Sequence, residues 1–439
     1  MTDADLLLRG VMLEGRSADV LVAGGRVVRV GTDLTADARV VDAAGATLLP
    51  GLHDHHIHLL AAAAAAASVA CGPPQVRTRD DLAAALAAVP GDGWVRAVGY
   101  DESVAGRLDR VALDALLADR PVRVQHRGGS LWSLNSAALG ELGLAAAYPD
   151  GLLWRADEML RPAAGGPPDL TALGARLASY GITGVTDATP GDASALAAAS
   201  RAIPQRVLTL GTDPSGTLRH GAYKIVVPDH ALPGLDELAG TIARAHADGR
   251  GAAVHSVTRE SLLLTLLAFE QAGVLDGDRV EHAAVAPPEA IGLLARLGIV
   301  VVTQPSLVAL RGDSYLERVD PDDVPYLWPY ASLLAAGVRV GCSSDAPYGE
   351  ADPWRSIAAA TERRAPDGRV VGERERVDAA TALGAYLTHP HDPGGVPRSV
   401  AVGAEADLVL VVPGPRGMID AEVLLTVIGG RVGYAKEQA

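Results

Sequence analysis

The stretch Pro50-Gly51-Leu52-His53-Asp54-His55-His56-Ile57-His58 holds four of the chain's 12 histidines. It lies at the end of an apolar segment that predicts a buried strand over 48–54. Because residues i and i+2 of a strand point to the same face, His56 and His58 can present their imidazoles to one metal ion. His53 and His55 have the opposite parity and are not counted as ligands. A metal-scavenging surface patch is the alternative, and the position directly after an apolar strand disfavours it.

The middle of the chain alternates strand-like and helix-like segments, which is typical of βα units around a parallel sheet. Helices are predicted over Asp80–Val89 and Glu260–Ala272. A closed (β/α)8 barrel has eight strands, so the pair at 94–99 and 122–126 is assigned to an insertion. The ten strand candidates are 48–54, 94–99, 122–126, 182–187, 206–211, 222–227, 251–256, 279–283, 299–304 and 338–344.

Both chain ends consist of short apolar or alternating segments separated by turn signals such as Gly24-Gly25. We therefore predict an α/β fold in which a TIM-like (β/α)8 barrel over 49–394 carries an insertion at about 60–180. Residues 1–48 and 395–439 are predicted to form one small β-sandwich domain. Two unrelated terminal hairpins are the alternative. The predicted end strands are 5–9, 18–23, 26–30, 39–42, 406–412, 426–429 and 431–434.

Three further titratable residues, His255, His282 and Asp345, lie at the ends of later predicted strands. Each alone has an ordinary explanation, either a buried histidine bonded to a backbone carbonyl or an aspartate that caps a helix. Together they occupy equivalent places in successive βα units, where active sites of such barrels are built. Histidines plus a carboxylate suit zinc or a similar divalent ion.

Lys224 lies within an apolar strand-like segment, Gly221 to Val227. Burying an ammonium group is costly unless it is paired. Carbamylation by carbon dioxide would convert this lysine into an anionic bridge between two metal ions. A lysine at the barrel periphery that extends to water is the alternative.

Composition limits the classes of partner. The chain has 439 residues and a net charge of −15, so it lacks the basic footprint of a nucleic-acid binder. The apolar stretch at 57–67 is too short to span a bilayer, and the N-terminus shows no signal-peptide pattern. Two cysteines fit a reducing compartment. We expect a cytoplasmic protein with a small-molecule substrate and no nucleic-acid or membrane partner, and a homo-oligomer is left open.

The ordered set of histidines, lysine and aspartate resembles the amidohydrolase superfamily of metal-dependent hydrolases. Lys224, His255, His282 and Asp345 stand in the order that this superfamily uses on barrel strands four, five, six and eight. Gly403 to Leu410 is similar to its return into the terminal β-sandwich. The resemblance implies one or two Zn²⁺ or other divalent ions, and it implies that Asp345 is both a ligand and the catalytic base. The implied metal ligands are His56, His58, Lys224, His255, His282 and Asp345.

A closer resemblance is to the subgroup that includes N-substituted formamide deformylase. It is carried by the segments 99–103, 134–139, 281–282, 304–306 and 344–347. The chain departs from this subgroup at Gly128-Gly129-Ser130, where Asp-Gly-His is usual. It departs again at Thr258-Arg259, where Gly-Asp is usual. These changes touch the expected substrate wall and leave the metal set intact.

The expected reaction is hydrolysis of an amide, a cyclic amide or a related C–N bond by a metal-activated water. Two alternatives stay open. One is a mononuclear deaminase in which Lys224 is not a ligand and His282 only contacts the ligands. The other is a catalytically inactive metal-binding barrel. Weaker candidates for substrate contacts are Trp132, Arg311 and Trp328, with Trp154, Tyr326 and Tyr330 in similar loop segments.

Overall fold

A computed structural model describes residues 5–160 and 166–437. The strands are β1 (Leu6–Leu13), β2 (Arg16–Ala23), β3 (Arg26–Gly31), β4 (Arg39–Asp42), β5 (Thr47–Pro50), β6 (Leu52–Ile57), β7 (Val69–Ala70), β8 (Val95–Tyr100), β9 (Val122–His126), β10 (Leu131–Leu134), β11 (Leu152–Trp154), β12 (Ile182–Asp187), β13 (Arg206–Thr209), β14 (Arg219–His220), β15 (Tyr223–Val226), β16 (Ala252–Ser256), β17 (Arg279–His282), β18 (Val300–Thr303), β19 (Val340–Cys342), β20 (Leu408–Gly414), β21 (Gly417–Ile428) and β22 (Arg431–Ala435).

The helices are α1 (Leu59–Ala66), α2 (Arg79–Ala87), α3 (Glu102–Ala105), α4 (Arg110–Asp114), α5 (Ser136–Glu141), α6 (Asp157–Leu160), α7 (Thr171–Ser179), α8 (Ser194–Ala199), α9 (Leu235–Ala247), α10 (Arg259–Ala272), α11 (Pro288–Leu297), α12 (Ser306–Arg318), α13 (Tyr330–Ala335), α14 (Pro353–Glu362) and α15 (Ala379–Gly384). The two helices predicted from the sequence, α2 and α10, are confirmed, and each begins at a capping box, with Thr78 and Thr258 as the cap residues. Within the described residues, every helix is too short or too polar to cross a membrane.

Strands from both chain ends form one sheet of eight strands in the order β22-β21-β20-β5-β1-β2-β3, with β4 beside β1. The two ends join where β5 pairs antiparallel with β20 and lies parallel to β1. Alternate residues of these strands bury one apolar core that includes Leu8, Val20, Leu48, Leu410 and Val427. This pairing excludes two unrelated terminal hairpins. The two-layer sandwich itself stays a prediction.

The predicted single strand over 48–54 is wrong, because Gly51 divides it into two. β5 belongs to the end sheet, whereas β6 begins a parallel sheet with β12. Thr183 crosses so close to Gly51 that a Cβ atom there would lie 2.2 Å from the threonine Cγ2. The glycine therefore allows the chain to pass from one sheet to the other in tight contact.

The remaining predicted barrel strands all form, and they lie in two parallel sheets. These have the orders β14-β13-β12-β6 and β15-β16-β17-β18-β19. Strand pairing among the described residues gives these two sheets and not one closed ring. Isolated backbone hydrogen bonds link their edges, among them those from the Lys224 amide to the Leu210 carbonyl at 3.0 Å and from the Asp345 amide to the His56 carbonyl at 2.8 Å. The predicted α/β class is confirmed, and complete barrel closure stays a prediction.

The chain separates into two compact units, Met1–Leu59 with Leu170–Ala439, and Leu60–Asp169. The second unit contains the two strands that were assigned to an insertion, now β8 and β9. Its own sheet has the order β11-β10-β9-β8-β7, and it packs on apolar residues that include Leu82, Leu86 and Val124.

Candidate metal centre

Two histidines and one aspartate bring their ligand atoms together at the carboxyl end of β6. His56 Nε2 lies 3.4 Å from Asp345 Oδ1, and His58 Nε2 lies 3.3 Å from the same oxygen. One atom from each of these three residues lies within 4.8 Å of the other two. The spacing of the histidine pair in the sequence therefore places both rings on one face, as strand geometry requires.

Backbone hydrogen bonds hold the segment around Asp345 against the end of β6. The Asp345 amide donates to the His56 carbonyl at 2.8 Å, and the His58 amide donates to the Ala346 carbonyl at 2.9 Å. Asp345 has a φ of 54°, a left-handed conformation that non-glycine residues seldom adopt. Such conformations persist where the surrounding structure fixes them, and they concentrate at functional sites.

The other three predicted ligands lie against the same cluster. The buried Lys224 Nζ lies 3.5 Å from His56 Nε2. The His282 ring centre lies 5.0 Å from that of His56 and 4.6 Å from that of His255. The structure therefore brings together all six residues that the sequence singles out as metal ligands.

A buried ion pair between Glu281 and Arg279 contacts the His56 ring, and the sequence analysis gave these two residues no role. Glu281 accepts a hydrogen bond from His56 Nδ1 at 2.5 Å, and Arg279 Nε donates to the other Glu281 oxygen at 2.6 Å. The two charged side chains are fully or almost fully buried. The available signal was a pair of charged residues at alternate positions of one strand. Because Glu281 holds the proton-bearing Nδ1, the lone pair of Nε2 is left to face Asp345.

Two neutral side chains orient the other rings in the same way. Gln304 Oε1 accepts from His282 Nδ1 at 2.7 Å, while its amide nitrogen donates to Ser343 Oγ at 2.8 Å. Thr189 Oγ1 lies 3.2 Å from His58 Nδ1. In a regular strand, neighbouring residues such as Glu281 and His282 point to opposite faces. His282 has a φ of 76°, which departs from strand geometry, and both side chains lie beside His56.

The histidines of opposite parity point elsewhere. His53 Nε2 is bonded to Thr186 Oγ1 at 2.8 Å, and His55 Nε2 to Thr388 Oγ1 at 2.9 Å. Asp54, also buried, accepts the amide hydrogens of His56 and Ser344 and so ties β6 to the segment before Asp345.

Burial dominates the electrostatics of the centre. It lowers the pKa of His56 to about 3, helped by the charge of Lys224. Burial also lowers the pKa of Lys224 itself and that of His282. For Asp345, burial would raise the pKa, but the hydrogen bond with His58 and the nearby histidines hold it below its usual range. At neutral pH the centre therefore offers the neutral imidazoles of His56 and His282 and the ionised carboxylate of Asp345.

This donor set fits a divalent metal ion. Zinc-type sites are built from neutral histidine nitrogens and carboxylate oxygens, with the second ring nitrogen of each histidine held by a hydrogen bond. His56, His58 and Asp345 meet both conditions, because their ligand atoms converge and both histidines have an Nδ1 partner.

The weaker substrate candidates are scattered. Trp132 lies in the second unit, where the Arg123 guanidinium lies 5.2 Å from its ring centre. Trp328 is 4% exposed and belongs to an apolar core cluster. Arg311 Nη2 donates to the Tyr348 carbonyl at 2.8 Å, and the Tyr348 ring centre lies 5.7 Å from that of His58. Of these three, Arg311 is thus connected to the centre through one residue, and all three roles stay predictions.

The similar loop candidates also differ in their surroundings. Trp154 is 67% exposed and Tyr330 is buried. The Arg259 guanidinium lies 5.7 Å from the centre of the Tyr326 ring.

Comparison with known proteins identifies the family of the chain. A model of the amidohydrolase family matches residues 39–434, and the chain belongs to this family. The resemblance found in the sequence is therefore confirmed, and the predicted enzyme class, a hydrolase that acts on carbon–nitrogen bonds, is confirmed with it.

Among curated relatives, the chain is 27% identical to the N-substituted formamide deformylase of Arthrobacter pascens, over 95% of each chain. Among solved structures, an uncharacterised metal-dependent hydrolase of Pyrococcus horikoshii aligns with a TM-score of 0.74 and 18% identity, over 94% of this chain and 98% of its own. The N-isopropylammelide isopropylaminohydrolase of Burkholderia multivorans aligns with a TM-score of 0.55 and 18% identity, over 99% and 100%. At these identities the solved structures establish a shared fold.

Proposed function

We propose that the chain hydrolyses an amide, a cyclic amide or a related C–N bond of a small molecule at the centre formed by His56, His58 and Asp345. The observation that carries the proposal is the convergence of these three ligand atoms within 4.8 Å. In this proposal residues 49–394 are the hydrolase barrel, and residues 1–48 and 395–439 form the accessory β-domain. N-substituted formamides are the first substrates to test, because the relative from Arthrobacter pascens is named for them.

The proposed ion is zinc, held by the three converging residues with His255 and His282 beside them. A bound divalent ion supplies a more acidic water and a polarised carbonyl oxygen. Asp345 then accepts the proton of the attacking water at a carboxylate oxygen and delivers it to the leaving nitrogen. The lowered pKa keeps the carboxylate ionised at neutral pH, so one of its oxygens is available to accept the proton. The hydrogen bonds that His56 makes to Glu281 and His58 makes to Thr189 keep the histidine rings from turning during the reaction.

Lys224 is proposed to be carbamylated. Its neutral Nζ adds to the carbon of carbon dioxide, forms an N–C bond and releases a proton to solvent, which leaves an anionic carbamate. Burial favours the neutral amine that this step needs, since it lowers the pKa of Lys224. The carbamate oxygens would extend the ligand set toward His56, whose Nε2 lies 3.5 Å from the lysine nitrogen, and would allow a second ion.

Asp345→Asn tests the catalytic assignment. Asparagine keeps the shape of the side chain but cannot accept the water proton, so kcat for amide or formamide hydrolysis should fall by about 10²–10⁴. Metal content should fall less than in a histidine variant because the other ligands remain. Turnover within a few-fold of the unmodified chain would remove Asp345 from the proton transfer.

A mononuclear deaminase is the second candidate. It is favoured by the three-residue cluster, which is sufficient for one ion without Lys224. Metal analysis distinguishes the two readings. Two ions per chain would support the carbamate-bridged hydrolase, and a single ion with unmodified Lys224 would support the deaminase.

A further inference from the structure

A second cavity lies at the opposite end of β6 from the metal centre. Its volume is about 260 Å³, and its walls include His53 near the start of β6, Gly184 on β12 and Arg206 at the start of β13. The segment after α15 closes it with His391 and Arg398. These are the amino ends of parallel strands, whereas the metal centre stands at the carboxyl end of β6.

Three arginines and two carboxylates line this cavity, and the carboxylates already have partners. Asp407 accepts from Arg206 Nε at 2.5 Å and from the Gly429 amide at 2.7 Å. Glu405 lies 3.5 Å from the same Arg206 nitrogen. Asp407 and Glu405 also act on Arg398 through their charge, so the lining holds one more arginine than it holds carboxylates.

Arg219 and Arg398 each have guanidinium N–H groups without a hydrogen-bond acceptor among the described residues. Arg398 uses Nε and Nη2 on backbone carbonyls, including that of Gly51 at 2.5 Å, and no partner for its Nη1 occurs among residues 5–160 and 166–437. Arg219 is exposed, and its guanidinium makes no hydrogen bond or ion pair within the same described ranges. A guanidinium with free N–H groups at a cavity wall is suited to an oxyanion.

A buried histidine adds a third polar group. His53 is 3% exposed and bonds Thr186 through Nε2, while its Nδ1 has no hydrogen-bond partner in the described part of the chain. That nitrogen lies 2.6 Å from where a Cβ of Gly184 would stand, so the glycine leaves space beside it. Burial is the main cause of the lowered pKa of His53, and His55 and the charge of Arg398 lower it further. Burial is also the main cause of the lowered pKa of His391, to which His389 and Arg219 add.

We propose that this cavity binds a phosphate-sized oxyanion, contacted by Arg219, Arg398 and His53. The volume equals that of about nine water molecules at roughly 30 Å³ each, which admits a phosphate group with a small organic substituent. The ligand is therefore either inorganic phosphate or a small phosphate monoester. The site is separate from the residues on which the proposed hydrolase activity rests.

Isothermal titration calorimetry of the full chain tests this proposal, with inorganic phosphate or glycerol phosphate added at constant ionic strength. The unmodified chain should bind at least one of them, and their relative affinities identify the natural class. Arg219→Ala removes a charged donor without touching a packed group, so it should weaken binding at least about tenfold. Arg29→Ala, which removes an exposed arginine of the end sheet, should change the affinity less than twofold.

His58→Ala separates this cavity from the metal centre, where phosphate could also bind. If the cavity is the site, phosphate binding persists in His58→Ala and is lost in Arg219→Ala. Absence of binding to the unmodified chain, equal affinities for Arg219→Ala and Arg29→Ala, or loss of binding in His58→Ala alone would each overturn the proposal. None of these outcomes depends on whether the chain hydrolyses amides.

Discussion

Glu281→Gln should be one of the most destabilising single-atom exchanges available in this chain. The carboxylate lies between His56 Nδ1 and Arg279 Nε, at 2.5 and 2.6 Å, and it is fully buried. Removal of its charge leaves the Arg279 guanidinium, which is 3% exposed, without a counter-ion. Loss of one partner of a buried pair costs about 3–5 kcal/mol. The 3.2 Å bond from Arg279 Nη2 to the His55 carbonyl remains, so we expect about 3 kcal/mol.

The matched control is Glu270→Gln. Glu270 also pairs with an arginine, Arg296, at 2.9 Å, but the two side chains are 45% and 57% exposed. Exposed pairs are worth about 0–1 kcal/mol. Urea denaturation at neutral pH with a chelator present measures both free energies of unfolding without a contribution from metal binding. If Glu281→Gln lost no more stability than Glu270→Gln, the buried pair would not hold His56 in place, and our account of the orientation of this ring would be wrong.

Three further predictions concern the centre itself. His58→Ala should lose most of the bound metal by elemental analysis because it removes a converging ligand, whereas His230→Ala, at an exposed position, should keep it. Lys224→Ala should lose metal and activity and regain part of both with short carboxylic acids, and an alanine variant with full activity would refute the carbamate. Folding stability of the metal-free chain should fall as the pH drops from about 6.5 towards 3, since the pKa of His56 is about 3 in the folded chain and 6.5 is the usual value. In that window the unfolded chain binds the extra proton, so this histidine contributes a loss of about 1.4 kcal/mol per pH unit, and His56→Asn should reduce the slope in urea titrations by about one proton.

The parallel strands could be predicted from the sequence because each is a short apolar run between turn signals. The candidates at 182–187 and 279–283, for example, match β12 and β17 within one residue. The strand over 48–54 failed for a physical reason. Its apolar residues are continuous across Gly51, and only the close approach of Thr183 shows that the chain changes sheet there.

The metal cluster could be predicted because its residues stand at strand ends, where alternation fixes the direction of a side chain. Residues that act through the ligands were harder to find. Glu281 and Gln304 contact ligands that are distant in the chain or on another strand, and no local pattern distinguishes such a residue from any buried polar group. The left-handed backbone of His282 and Asp345 was also invisible, since neither is a glycine.

Metal content measured together with activity tests the central claim most directly. The purified chain should contain one or two divalent ions, predominantly zinc, and should hydrolyse a carbon–nitrogen bond of a small amide or formamide. Chelation should abolish both metal and turnover, and added Zn²⁺ should restore both. A metal-free chain that retains full hydrolytic activity would contradict the account.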